Sequence, residues 1–141
     1  MTTILVAYAS KYGSSKEIAE HIALILRREG WGVDVKDAES VSSLQSYSAV
    51  VVGSAVYFDN WLPAAQELLE SFQEELTSKP VWLFSSGMTA QVGPKGWRFP
   101  EALGPLVKKI KPQSIVLFAG KIDAEGLSLD DWLINPALRI E

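Results

Sequence analysis

The stretch Ile4-Leu5-Val6-Ala7-Tyr8-Ala9-Ser10-Lys11-Tyr12-Gly13-Ser14-Ser15 passes from an unbroken apolar run into small polar residues and a glycine. A short apolar run without polar alternation suits a strand buried on both faces, and such a strand belongs at the centre of a sheet. From Ser14 the period changes. Ile18, Ile22, Ile25 and Leu26 fall on one stripe of a helix. Ser14 and Glu17 stand at capping-box spacing at its start, and Gly30 follows its end. Strand, polar turn and helix in that order begin a βαβ unit.

The downstream sequence repeats the unit. Trp31 to Val35 reads as a second strand, and Asp34 and Lys36 suggest an outer position. Residues 37–46 form a mostly polar connection. Ala49-Val50-Val51-Val52-Gly53 is another doubly buried strand. A loop precedes a helix from about Leu62 to Leu76, with Ala65, Leu68, Leu69 and Phe72 on one face and Pro63 in its first turn. Val81 to Phe84 gives a fourth strand, Pro100 to Ile110 a helix, and Ile115 to Ala119 a fifth strand. This alternation predicts one α/β domain over residues 1–141, an open, doubly wound, five-stranded parallel sheet with helices on both faces and right-handed crossovers. Ligands of such sheets bind beyond the carboxyl ends of the strands. Three loops leave those ends: Ser10 to Ser14, Ser54 to Trp61, and Ser85 to Phe99.

Composition removes many chemistries. The 141 residues contain no cysteine, which excludes thiol redox motifs and zinc ribbons, and a single histidine, His21, which excludes a His-rich metal site. Scattered charges and a net charge of −4 leave no nucleic-acid footprint. The N-terminus shows no basic lead or cleavage pattern, and no apolar run reaches membrane-spanning length, so a cytoplasmic protein without integral membrane association is expected. His21, mid-helix beside Ile22, reads as a structural or surface residue, and no general acid or base stands out.

The first loop joins a buried strand to a helix N-terminus, where backbone N–H groups and the positive end of the helix dipole favour a phosphate. Ser10, Ser14 and Ser15 also suit a plain helix cap, with Gly13 turning the chain. Neither the dinucleotide glycine fingerprint nor the P-loop pattern occurs. Read as apolar strand, S-x-Y-G-S-S and helix, Ile4 to Ala19 resembles the FMN phosphate loop of the flavodoxin superfamily, usually Ser/Thr-x-Thr-Gly-x-Thr. Ser10, Gly13 and Ser15 fall on the family's hydroxyl, glycine and hydroxyl positions; Tyr12 stands where a threonine is usual.

Two further loops carry the same resemblance. Val51 to Ala65, with Gly53-Ser54-Ala55-Val56-Tyr57, is similar to the flavin-ring region of flavodoxin-domain proteins of the menaquinone-dependent protoporphyrinogen oxidase type. Phe84-Ser85-Ser86-Gly87 and Phe118-Ala119-Gly120-Lys121-Ile122-Asp123 resemble later motifs of that branch. The resemblance implies the strand order 2-1-3-4-5 and FMN as cofactor. Ser10, Lys11, Tyr12, Gly13, Ser14 and Ser15 would hold its phosphate, Tyr57 and Trp61 would flank the ring, and Ser54, Ala55, Val56, Ser86 and Gly87 would meet its polar edge. Phe58 reads better as a loop anchor, and Trp97 suits a ring cover, a docking contact or a solvent-side anchor. Electron carrying by bound flavin is the implied function, with a redox protein or a small-molecule acceptor as partner. The alternatives are a flavin-dependent oxidoreductase of the protoporphyrinogen oxidase or quinone-linked type, and a cofactor-less binding module. A phosphorylatable receiver on the same topology is excluded by Ala9-Ser10-Lys11 and Gly53-Ser54-Ala55, where it needs acidic residues. Relatives of this branch continue to a final helix; here Leu129-Trp132-Leu133 stands in its place or the helix is absent.

Overall fold

The alternate side chains of β1 (Thr3–Ala9) go to opposite faces of a sheet. Ile4 and Val6 enter one buried cluster, and Leu5, Ala7 and Ala9 enter another. This period-two division is what an unbroken apolar run requires when both faces are covered. The structure is a computed structural model that describes residues 3–11, 13–57, 60–87 and 100–119, with the backbone alone at 87 and 117–119. Tyr12, Phe58, the 88–99 part of the third loop with Lys95, Trp97 and Arg98, the 120–123 end of the last motif, and the segment from Leu127 to Ile140 lie outside the described residues.

Helix α1 (Ser14–Arg28) buries Ile18, Ala19, Ile22 and Leu26 on the Ile4 and Val6 face. It ends as its glycine predicts. Gly30 adopts φ 98°, its N–H reaches the Arg27 carbonyl at 3.0 Å, and the Trp31 N–H reaches that of Leu26 at 3.1 Å. These two bonds form a Schellman motif that satisfies the last carbonyls of the helix. The opposite face is covered by α2 (Pro63–Ser71), α3 (Gln73–Leu76) and α4 (Gly104–Ile110), which place Leu68, Leu69, Leu76, Leu106 and Ile110 against Leu5, Val50, Val52 and Leu83.

The sheet runs β2 (Gly32–Asp37), β1, β3 (Ala49–Tyr57), β5 (Val81–Gly87), β6 (Ser114–Ala119), with neighbours parallel along this path. Five parallel strands in the order 2-1-3-4-5 are thereby found, the fourth and fifth being β5 and β6. A two-residue strand, β4 (Asn60–Trp61), pairs antiparallel with the end of β3 and makes a sixth. Three expectations need correction. β5 does not end at Phe84 but continues to Gly87, so Ser85 to Gly87 are strand residues rather than the start of the third loop. β3 does not end at Gly53 but continues to Tyr57, so Ser54 to Tyr57 are strand residues rather than loop. The helix expected from Leu62 to Leu76 is broken at Phe72, which adopts φ −112° and ψ 20°. No helix among the described residues is long and apolar enough to cross a membrane.

Candidate ligand site at the carboxyl edge of the sheet

The ends of the central strands carry small side chains in register. Ala9 pairs with Ser54, Ser54 with Ser85, and Ala55 with Ser86. The edge between β1, β3 and β5 is therefore a shelf that presents backbone rather than bulky side chains. Beneath it, Gly53 pairs with Phe84, and a Cβ at Gly53 would overlap the Phe84 ring. Ser54 is committed to the scaffold: its hydroxyl accepts the Leu62 N–H at 2.9 Å and donates to the Ala55 carbonyl at 2.8 Å. Ser86 is buried, Ala55 and Val56 are half-buried, and Gly87 ends β5.

The first loop differs from the expected cap. Gly13, not Ser14, holds the N-cap position of α1, at φ 94°, and no side chain caps the helix. The capping box of Ser14 with Glu17 does not form; the Glu17 N–H bonds the Gly13 carbonyl at 3.0 Å, the ordinary first bond of the helix. Ser14 lies half-buried within the first turn, so its hydroxyl stands past the cap position. Ser10 closes the loop instead, its Oγ accepting the Gly13 N–H at 2.9 Å. Ser15 is fully buried, and its Oγ has no hydrogen-bond partner among the described residues. A buried hydroxyl left unpaired costs about 1–3 kcal/mol, so a partner beyond the described residues is physically favoured. An anion at this helix N-terminus would have the first-turn N–H groups and the helix dipole in its favour.

The hairpin of β3 and β4 sorts its aromatics by strand alternation. Val56 pairs with Trp61 on the inward side, and Tyr57 with Asn60 on the outward side. Trp61 is only 3% exposed, belongs to the buried cluster with Ala65 and Leu68, and donates its indole N–H to Ser85 Oγ at 2.8 Å. In this structure Trp61, expected to flank a ring, is turned inward; burial of the indole and its N–H bond decide its direction. Tyr57 is 38% exposed, and the Lys11 ammonium lies 4.1 Å from its ring centroid. Lys11 thus links the first loop to the hairpin, a contact that neither residue signals in isolation. Ser85, in the third motif but outside the expected contacts, emerges as the acceptor that fixes Trp61.

No group of three or more His, Cys, Asp or Glu side chains that would hold a metal ion occurs among the described residues. Among the described residues, the edge offers hydroxyls, backbone amides, the Tyr57 ring and the Lys11 ammonium.

Comparison with known proteins agrees with the fold. The chain is 26% identical over 89 residues to protoporphyrinogen IX dehydrogenase (quinone) of Escherichia coli K12, a match covering 62% of this chain and 49% of that protein. The chain thus spans about half the length of the curated relatives it matches. Flavodoxin 2 of Bacillus cereus superposes with a TM-score of 0.73 at 21% identity, covering 97% of each chain. The rubredoxin oxygen:oxidoreductase of Desulfovibrio gigas superposes with a TM-score of 0.75 at 18% identity, covering 97% of this chain and 35% of that one. At these identities the two structures bear on the fold alone. The flavodoxin domain family model matches residues 5–134, which takes in most of β1, the first loop and the hairpin. A parallel sheet in this order, matched by that model over most of its length, makes the chain a member of the flavodoxin domain family.

Proposed function

We propose that this chain binds FMN at the carboxyl edge of its sheet and carries electrons through it. The observation that carries the reading is the buried, unpartnered Ser15 hydroxyl under the uncapped first turn of α1. The phosphate of FMN supplies the acceptor that this hydroxyl lacks. Gly13 keeps the loop close by adopting a left-handed conformation, and Ser10, whose Oγ already accepts, retains its own O–H for donation. Tyr57 offers the stacking face for the ring, while Trp61 holds the hairpin that presents Tyr57. Ala55, Val56, Ser86 and Gly87 bring backbone groups to the ring edge. Tyr12 belongs with the same phosphate loop in this reading.

Bound flavin supplies the redox chemistry, and the protein supplies orientation and electrostatics. The partner is a redox protein or a small-molecule acceptor in the cytoplasm. A second reading, a flavin-dependent dehydrogenase acting on a porphyrinogen, is favoured by the similarity to the Escherichia coli enzyme.

Purifying the protein from cells supplied with riboflavin, recording its visible spectrum, and then following stepwise reduction and reoxidation tests both readings. Flavin bands, fast exchange with a one-electron acceptor and no oxidation of a porphyrinogen are expected. Porphyrinogen turnover would move the second reading forward, and a colourless protein that takes up no FMN would leave a cofactor-less binding module.

A further inference from the structure

The Lys11 ammonium covers a face of Tyr57, the exposed aromatic that the proposed site offers to a flavin ring. We propose that Lys11 is a specificity-determining residue: it occupies the Tyr57 face until a phosphate at the α1 N-terminus draws it away, so that only a phosphorylated flavin uncovers its own stacking surface. The inference rests on the FMN reading and deepens it.

The geometry ties the two halves of the site through one side chain. Lys11 is exposed and belongs to the first loop, two residues before Gly13 and four before the unpartnered Ser15 hydroxyl. Its other anchor, Tyr57, sits at the end of β3, across the hairpin from Asn60. An ammonium over an aromatic face is held by the ring quadrupole, and at an exposed position this attraction is modest. A phosphate carrying close to two negative charges a few residues away competes for the ammonium through a much larger field. An uncharged flavin must displace Lys11 with nothing in return. FMN exchanges a cation–π contact for a charge-assisted one. The same side chain therefore penalises riboflavin and rewards FMN, which separates this role from that of backbone donors in the loop, because those only reward.

The contact and its release are both measurable. In the protein without flavin, NMR of the Lys11 ε-methylene protons is expected to show an upfield ring-current shift that Tyr57→Leu abolishes and that inorganic phosphate titrates away. For binding, Lys11→Met is expected to strengthen riboflavin affinity about two- to fivefold, the range of an exposed cation–π contact, while FMN affinity falls about tenfold. Lys11→Arg keeps a cation over the ring and should restore most of the discrimination. Riboflavin affinity that stays the same or weakens in Lys11→Met, or a ring-current shift that phosphate leaves in place, overturns the proposal. If the wild-type protein binds no flavin, the function proposed above fails. The phosphate titration then decides the Lys11 release by itself.

Discussion

Trp61 donates its indole N–H to Ser85 Oγ across 2.8 Å of protein interior, tying the hairpin of β3 and β4 to the end of β5. The bond fixes which way the hairpin faces: with Trp61 inward, Tyr57 on the alternate position stands outward at the edge of the sheet. An aromatic that looks like a ligand contact thus serves to aim another.

Trp61→Phe keeps most of the buried area and loses the hydrogen bond. We expect a loss of about 1 kcal/mol in stability, read from denaturant midpoints. FMN affinity should fall less than in Tyr57→Leu; the reverse order would make Trp61 the stacking residue.

Ser15→Ala separates folding from binding. Removing a hydroxyl that has no partner among the described residues should leave stability unchanged or raise it by up to about 1 kcal/mol. The same variant should bind FMN about ten- to a hundredfold more weakly, since a hydrogen bond to a charged group contributes about 1.5–3 kcal/mol. Calorimetry gives both numbers; a stability loss above about 1 kcal/mol would mean that the hydroxyl is already satisfied.

Gly13 adopts φ 94°, and a side chain there would meet open space, so its requirement is conformational and electrostatic rather than steric. Asn tolerates left-handed backbone better than most residues. Gly13→Asn should therefore remain folded and retain measurable FMN binding, whereas the near-isosteric Gly13→Asp should lose it by placing a carboxylate against the phosphate. Equal affinities in titrations of the two variants would remove the first loop from the site.

Much of this was legible in the chain, and the gaps have physical causes. β1 and the first half of β3 read correctly because double burial leaves continuous apolar runs, and the outer place of β2 shows in Asp34 and Lys36. The continuation of β3 past Gly53 is not visible, because a glycine in a strand resembles a terminator. Its actual cause is Phe84, whose ring takes the space of a Cβ. The buried place of Trp61 follows from strand alternation with Val56 and Tyr57, which becomes readable only once 54–57 is known to be strand. Ser14 reads as a cap because serine so often is one, and Gly13 takes the position by supplying the left-handed turn. The break at Phe72 has no counterpart in the local sequence that we can identify.

Gly53→Ala tests the close approach directly. Overpacking of this kind costs about 1–3 kcal/mol. Combining it with Phe84→Leu should recover part of the loss, with a coupling energy of about 1 kcal/mol or more in a double-mutant cycle of thermal stabilities. Additive losses would show that the ring has room to move.

Tyr47 donates its hydroxyl to Asp34 at 2.8 Å, joining the connection after β2 to that strand. Burial first, then the hydrogen bond and charge of Asp34, push its pKa up from 10.0 to about 12. The folded state thus holds this proton more tightly than the unfolded state. The associated stability is fully present below pH 10 and is lost as pH rises from 10 towards 12. Tyr47→Phe should flatten the fall in denaturant midpoint over that window relative to wild type. Parallel curves for the two proteins would mean that Tyr47 does not contribute to it.

The central claim, that an anion at the α1 N-terminus belongs to a flavin, meets its most direct test in a fluorescence titration of the flavin-free protein with FMN and, in parallel, with riboflavin. Saturable quenching by FMN at concentrations at least tenfold below those needed for riboflavin is the predicted result, with Ser15→Ala reducing the difference. Equal affinities for the two flavins, or no binding of FMN at all, would contradict the account.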